Sequence, residues 1–201
     1  MREELFGKES NGFLRDMKIS KANVDGTKVL LVDDVVKSVY PPSEGGYWKH
    51  MVPQGLERKE LEVLLLGVGA GTIARLLLEK YPQAKITGVD NNSLVMDAAV
   101  REFDLEKIKM EIVFEDGFDY IEKNRKMFDL IIVDMWNGFW FPFKVLTKEF
   151  VDNCMKHLNQ EGQVYINAPN LDSIAQEALT GLNAYKDDIG RNVIYRWKLT
   201  K

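Results

Sequence analysis

Three aspartates stand at or just after the ends of three consecutive β-rich runs of the chain. They are Asp90, Asp116 and Asp134. A carboxylate in such a place can accept hydrogen bonds from the hydroxyl or amino groups of a ligand, or remove a proton from an attacking group. Because strands of a parallel sheet end at a common edge, we expect the three side chains to lie near one another.

A glycine-rich segment, Gly67-Val-Gly-Ala-Gly71-Thr72, joins the first of these core strands to a helix. Glycines let the backbone approach a ligand closely, and the start of the following helix offers N–H groups. The spacing is G-x-G-x-G, the form found in class I S-adenosylmethionine enzymes, and it lacks the last glycine of the dinucleotide fingerprint. We predict that Gly67, Gly69 and Gly71 bind a nucleotide-type cofactor.

Asp90 and Asp116 are predicted to hold the nucleoside of that cofactor. Asp90 comes about twenty residues after the glycine loop, where a carboxylate accepts both hydroxyls of a ribose. Asp116 is suited to the amino group of an adenine, with Gly117 giving the ring room. Both aspartates have an alternative role as helix caps, although Ser93 is better placed to cap the helix after Asp90.

Asp134 ends the most apolar strand, where a carboxylate is unfavourable unless it is paired or used. We predict a general base that takes a proton from an amine acceptor; the alternative is a structural carboxylate bonded to loop amides. Directly beyond it, residues 136–143 contain five aromatic side chains, beginning with Trp136. This run is either a wall around an apolar acceptor or the adenine, or a loop that packs on the core or on a second copy.

The histidines and the cysteine do not form a pattern typical of a metal site. His157 falls in a predicted helix and is expected on its surface, whereas Cys154 in the same helix is expected in the core. A single cysteine cannot form an internal disulfide.

The elements around these residues alternate between strands and helices, which predicts a doubly wound, Rossmann-like α/β sheet. The core strands are Val63–Leu66, Lys85–Val89, Lys109–Phe114, Asp129–Val133 and Gln163–Ile166. Helices are expected near 72–81, 94–104, 117–126 and 147–159, then near 171–186 before a last strand, Asn192–Trp197. We divide the chain into a β-rich appendage, residues 1–58, and an α/β domain, residues 59–201. Within the appendage, Lys28–Val32 and Val35–Tyr40 predict a hairpin.

Composition narrows the class of protein. The 27 basic and 31 acidic residues give a net charge of −4, which argues against a nucleic-acid binder. We see no apolar run long enough for a membrane span and no apolar stretch typical of a signal peptide, so we expect a cytoplasmic protein without a membrane partner.

The chain resembles the spermidine synthases, the polyamine aminopropyltransferases built on the class I methyltransferase fold. The similar residues are Thr27–Lys37, which match the amino-terminal hairpin of that family, Glu115–Phe118, which match its G-D-G-F, and Leu146–Phe150, which match its F-T-E-E-F. The resemblance implies that Asp90 binds ribose and that Asp134 is the first aspartate of the D-S-S-D-P loop, the proposed base. It also implies that Tyr47 and Asn137 contact the acceptor.

The departures from that family concern the polyamine half of the site. An aspartate of the glycine loop is Ala70 here, the second aspartate of D-S-S-D-P is Asn137, and the glutamine after Tyr47 is Trp48. A diamine has two positive ends, which a site must match with carboxylates.

We therefore expect a transferase that binds S-adenosylmethionine or its decarboxylated form and passes a methyl or aminopropyl group to a small, amine-type acceptor. Ala70 favours the methyl donor and the hairpin favours aminopropyl transfer. The alternative is a catalytically silent relative that binds an adenosyl nucleoside or a partner protein. Family habit and the aromatic run also make a homodimer a hypothesis.

Overall fold

The computed structural model describes residues 2–6, 18–42, 45–56, 58, 60–136, 138–170 and 184–199. Of residues 2–6 it describes the backbone alone. None of the helices in these ranges is long and apolar enough to cross a membrane.

A seven-stranded sheet forms the centre of the fold, with helices between its parallel strands. Its strands are β5 (Glu62–Leu66), β6 (Lys85–Asp90), β7 (Met110–Phe114), β8 (Phe128–Val133), β9 (Leu158–Pro169), β10 (Tyr185–Ile189) and β11 (Asn192–Lys198). The α-helices are α1 (Thr72–Lys80), α2 (Ser93–Phe103), α3 (Gly117–Lys123) and α4 (Lys148–Lys156). Short 3-10 helices cover Tyr47–Met51, Leu105–Lys107 and Phe143–Leu146.

The order across this sheet is β10-β11-β9-β8-β5-β6-β7. Strands β5 to β9 are parallel, and β11 and β10 extend the sheet in antiparallel fashion. The strand order reverses between β5 and β8, which makes their carboxyl ends the switch point where such sheets bind ligands. All six residues of β8 are buried, as expected for a parallel strand covered on both faces. The predicted doubly wound α/β fold is confirmed.

The predicted hairpin is also confirmed, and it belongs to a larger sheet than the sequence indicated. Strands β3 (Thr27–Val32) and β4 (Val35–Tyr40) pair with β2 (Ile19–Val24) and β1 (Arg2–Phe6) in the order β1-β2-β3-β4. The prediction missed β1 and β2. In β2, Ser20, Lys21 and Asn23 interrupt the apolar residues, so its alternation was weak.

This four-stranded sheet is fastened to the glycine loop and to α1. The Thr72 hydroxyl accepts a hydrogen bond from Val39 N at 2.9 Å and donates one to Val39 O at 2.9 Å. The Ser38 hydroxyl accepts from Ala70 N at 2.8 Å. Because Ser38 and Thr72 are both buried, these bonds are shielded from water and hold β4 against the ligand-binding edge.

The carboxyl-terminal part of the sheet differs from the prediction. Residues 171–183 of the helix expected near 171–186 lie outside the described residues. Its last two positions, Tyr185 and Lys186, begin strand β10, which the prediction missed. Strand β9 extends further in both directions than the predicted Gln163–Ile166.

Two local predictions were wrong. Asn92, not Ser93, caps α2, and its side chain accepts a hydrogen bond from Val95 N. His157 directly follows α4 and is only 8% exposed, and its ring nitrogens lie 2.8 Å from Asn153 O and 3.1 Å from Asn124 O. Its neighbour Cys154 lies in the core as predicted.

Candidate functional site

A cavity of about 490 Å³ opens at the carboxyl ends of β5, β6 and β8. This volume lies in the range of small-molecule sites. The predicted site residues that line it are Tyr47, Gly67, Gly69, Asp90, Asp116, Gly117, Asp134 and Trp136. Gly71 immediately precedes α1 and lies just outside the lining. Asn137 lies outside the described residues.

Gly67 follows β5 and lies beside Asp134, the residue that follows β8. Its φ is +89°, and a Cβ there would collide with the backbone carbonyl of Asp134. The two strands are in register, with Leu66 opposite Val133, and Asp134 N donates to Leu66 O at 2.8 Å. Only glycine fits at this position, where the backbone of the loop lies directly beside the backbone of Asp134.

Asp90 binds the glycine loop directly. One carboxylate oxygen accepts hydrogen bonds from Val68 N at 2.9 Å and Gly69 N at 3.2 Å. The other oxygen accepts from Asn92 N at 3.0 Å. Burial raises the pKa of the carboxyl, while these backbone donors oppose the shift. Asp90 thus shapes the glycine loop as well as lining the cavity, a role that the sequence did not predict.

Asp116 caps α3 and also faces the cavity. One of its oxygens accepts from Phe118 N at 2.9 Å and Asp119 N at 3.3 Å. The second oxygen accepts from the Asn91 side chain at 3.0 Å. A carboxylate oxygen has two lone pairs, so the second oxygen retains the capacity to accept another donor from the cavity. Gly117 lies close to the Met135 sulfur, where a Cβ would come within 3.0 Å.

Asp134 is held by two side chains from distant parts of the chain. The Tyr47 hydroxyl donates to it at 2.9 Å, and the Asn167 amide donates at 2.7 Å. Asn192 in β11 donates to the Asn167 oxygen at 2.8 Å, which aims the Asn167 amide nitrogen at Asp134. This arrangement holds the carboxylate in one position at the floor of the cavity.

The pKa of the Asp134 carboxyl is raised above its usual value. Burial raises the pKa of its carboxyl, and the hydrogen bonds from Asn167 and Tyr47 and the charge of Lys37 work in the opposite direction. The pKa of Tyr47 lies well above its ordinary value, first because of burial and then because of the adjacent Asp134 charge. Tyr47 therefore stays protonated and donates to the carboxylate. A carboxylate with a raised pKa is a stronger base than an exposed one.

The aromatic run after Asp134 is divided between the cavity wall and the surface. Trp136 and Trp140 line the cavity, and Phe141 is buried and contacts Trp136 with ring centroids 5.0 Å apart. Phe139 is 77% exposed and Phe143 is 47% exposed. The wall interpretation therefore applies to part of the run, and the role of the exposed rings stays a prediction.

Sequence reasoning missed three residues that shape the cavity. Asn167 directly follows the predicted end of the fifth core strand, so the rule that singled out the aspartates would have found it. Ser38 and Lys37 lie inside strand β4, and both line the cavity. The sequence carried no signal for them, since which residues of the hairpin face the glycine loop depends on how the two sheets pack.

Comparison with known proteins identifies relatives of this chain. The family model described as methyltransferase small domain matches residues 49–181. A probable polyamine aminopropyl transferase of Bifidobacterium longum (strain NCC 2705) is 34% identical over 104 residues, 52% of this chain and 23% of that protein. A polyamine aminopropyltransferase of Clostridium botulinum (strain Alaska E43 / Type E3) is 32% identical over 116 residues, 55% of this chain and 41% of that protein.

A solved structure extends the likeness to almost the whole chain. The crystal structure of a probable spermidine synthase from Corynebacterium glutamicum ATCC 13032 superposes with a TM-score of 0.80 at 20% identity, over 96% of this chain and 79% of that one. At this identity the likeness shows the fold alone. Together with the curated relatives, it confirms the predicted resemblance to the spermidine synthases. The matched segment spans less than half the length of either curated relative.

Proposed function

We propose a small-molecule transferase function for this chain, which belongs to the methyltransferase small domain family through residues 49–181. The proposed reaction moves a methyl or aminopropyl group from an adenosyl sulfonium compound to a small amine. The observation that carries the proposal is Asp134, a buried carboxylate held by Tyr47 and Asn167 in the same cavity as Asp90 and the glycine loop.

The residues of the cavity fit an adenosyl group. A Cβ at Gly67 would collide with the Asp134 carbonyl and one at Gly69 would lie 2.7 Å from the Ser38 hydroxyl, so the loop presents bare backbone to the cavity. Asp90 would accept the ribose hydroxyls, and Asp116 would accept the amino group of the adenine beside Gly117. When bound, S-adenosylmethionine or its decarboxylated form supplies an electrophilic carbon next to a sulfonium.

Asp134 is proposed to take a proton from the acceptor. An amine is mostly protonated near neutral pH and attacks only as the neutral base. The raised pKa of Asp134 brings the carboxyl closer to the pH at which it works, which favours proton transfer. Tyr47 and Asn167 orient the carboxylate toward the acceptor, and Trp136 forms an apolar wall that excludes water.

The test is to incubate the chain with each donor and a panel of small mono- and diamines, and to measure the nucleoside released by mass spectrometry. Methyl transfer releases S-adenosylhomocysteine, and aminopropyl transfer releases methylthioadenosine. We expect one of the two products to accumulate only when an acceptor is present.

Asp134→Asn should lower the rate by about 10²–10⁴-fold, the usual contribution of a general base, with donor binding retained. Asp152→Asn is the matched control, because Asp152 lies on α4 and pairs with Lys148 at 2.5 Å, away from the cavity lining. Donor binding without product from any acceptor, or an unchanged rate in Asp134→Asn, would contradict the proposal.

A further inference from the structure

The five backbone N–H groups of residues 67–71 in the glycine loop all have hydrogen-bond partners within the protein. Val68 N and Gly69 N donate to Asp90, Ala70 N donates to Ser38, and Gly71 N donates to Val68 O at 3.0 Å. Gly67 N donates to Val89 O at 2.9 Å. All five amides are thus engaged within the protein. A carboxylate brought to this loop by a ligand finds no free backbone donor among these five residues, so a nearby cationic side chain is a suitable partner.

Lys37 is the one cationic side chain among the described residues that line the cavity. Its backbone carbonyl lies beside Gly69, 3.8 Å from where a Cβ of that residue would be. From there the side chain reaches toward the segment after β8, where Nζ donates to Gly138 O at 2.6 Å. Nζ also lies 5.2 Å from the centroid of the Trp136 ring. Lys37 therefore extends from the glycine loop to the aromatic wall.

The ammonium group of Lys37 is incompletely paired. Nζ has three N–H donors, and Gly138 O is the acceptor it contacts in the described part of the chain. No described carboxylate lies within ion-pair distance of it, although Asp134 and Asp33 attract it from further away. Burial lowers the pKa of Lys37 to about 8, which indicates a charge that lacks its usual solvation.

We propose that Lys37 is a specificity residue that pairs with the carboxylate of the amino-acid tail of S-adenosylmethionine, so that the site takes this donor in preference to the decarboxylated form. The inference rests on the proposed function and specifies its substrate. A carboxylate at Nζ gains a charge-assisted hydrogen bond in a partly buried place. The decarboxylated donor brings only an ammonium group there, which Lys37 repels.

The residues near Lys37 also favour S-adenosylmethionine over the decarboxylated donor. Ala70 gives the glycine loop no acid with which to bind an ammonium tail. The charge of Asp134 is partly offset by Lys37, and its two described donors leave it oriented for the acceptor. Asp90 accepts hydrogen bonds from two loop amides and is assigned to the ribose hydroxyls, not to the amino-acid tail.

The test is isothermal titration calorimetry with S-adenosylmethionine, its decarboxylated form and methylthioadenosine, which has neither charged tail nor sulfonium. We expect the native chain to bind S-adenosylmethionine about tenfold or more tightly than the decarboxylated form, the scale of one charge-assisted hydrogen bond. Lys37→Met keeps the length of the side chain without its charge. It should reduce this ratio to about one and leave the affinity for methylthioadenosine unchanged.

Lys85→Met is the matched control, because Lys85 is exposed at the opposite edge of the sheet, where it pairs with Glu62 at 3.3 Å. This variant should keep the native preference. A preference for the decarboxylated form, or a preference for S-adenosylmethionine that survives Lys37→Met, would overturn the assignment of Lys37. Failure of all three ligands to bind would instead refute the proposed function, so the two failures are distinguishable.

Discussion

Asp134 is a carboxylate whose surroundings stabilise its neutral form, and this has an effect on the fold as well as on catalysis. A group whose pKa is raised in the folded state adds stability below its unfolded pKa and loses that contribution as the pH rises through its folded pKa. Asp134 follows that rule, because burial raises its pKa. The charged form of the carboxylate is therefore a local destabilising feature, as is common in active sites.

The free energy of unfolding of Asp134→Asn, measured relative to that of the native chain, should increase as the pH rises. Asparagine does not ionise, so the free-energy difference between variant and native chain should grow in favour of the variant through the pH range that begins near the unfolded aspartate pKa of about 3.9 and ends above the raised folded pKa. At the upper end we expect a gain of about 1 kcal/mol. Urea unfolding at several pH values measures it, and Asp152→Asn serves as control. A difference that is constant with pH, or that shrinks as the pH rises, would contradict the raised pKa.

Part of the site could be predicted at the scale of residues, and part could not. Asp90, Asp116 and Asp134 lie at one edge because strands of a parallel sheet end together, which the alternating pattern already implied. Lys37 and Ser38 were not predicted as site residues, because they lie within a strand and not after its end. The cap of α2 was misplaced by one residue, since Asn92 and Ser93 are both good capping residues and the chain alone does not fix where the helix begins.

At the scale of elements, the site is formed where β5 and β8 meet and where β4 covers them. The core strands were predictable because their apolar runs are long and bounded by turns or helices. Strand β2 was not, since half of its residues are polar or charged. Strand β10 was missed because Tyr185-Lys-Asp-Asp-Ile189 lacks a clear apolar alternation, and its position comes from pairing with β11.

The close approach of Gly67 to the backbone of Asp134 predicts that Gly67 tolerates substitution less well than other glycines with a positive φ. Gly67→Ala should lower the free energy of unfolding by about 3 kcal/mol or more, because the left-handed φ and the collision with the Asp134 carbonyl add together. Gly26 is the matched control. It has a φ of +82° with nothing within 4 Å of its Cβ position, so Gly26→Ala should lower it by only about 1 kcal/mol. Equal losses in urea unfolding would show that the close approach at Gly67 is not tight.

At the scale of the whole molecule, the positions of the charged residues are more informative about the site than the net charge of −4. Three aspartates and one lysine line a single cavity between the two sheets. The strand pattern predicted that the three aspartates would lie near one another at one edge of the sheet. Lys37 comes from strand β4, so its place in the cavity depends on how the four-stranded sheet packs against the glycine loop.

Transfer from an adenosyl donor requires that this cavity bind an adenosyl group, for which we propose Asp116 as the acceptor of the adenine amino group. The most direct measurement is calorimetric titration with methylthioadenosine and with methylthioinosine, which carries a carbonyl oxygen in place of that amino group. Asp116→Asn is a suitable variant because asparagine caps a helix as well as aspartate does, so α3 should keep its start.

The native chain should prefer methylthioadenosine by about tenfold or more, and Asp116→Asn should abolish or reverse this preference at unchanged stability. Failure of both nucleosides to bind the native chain, or a preference that Asp116→Asn does not alter, would contradict the account.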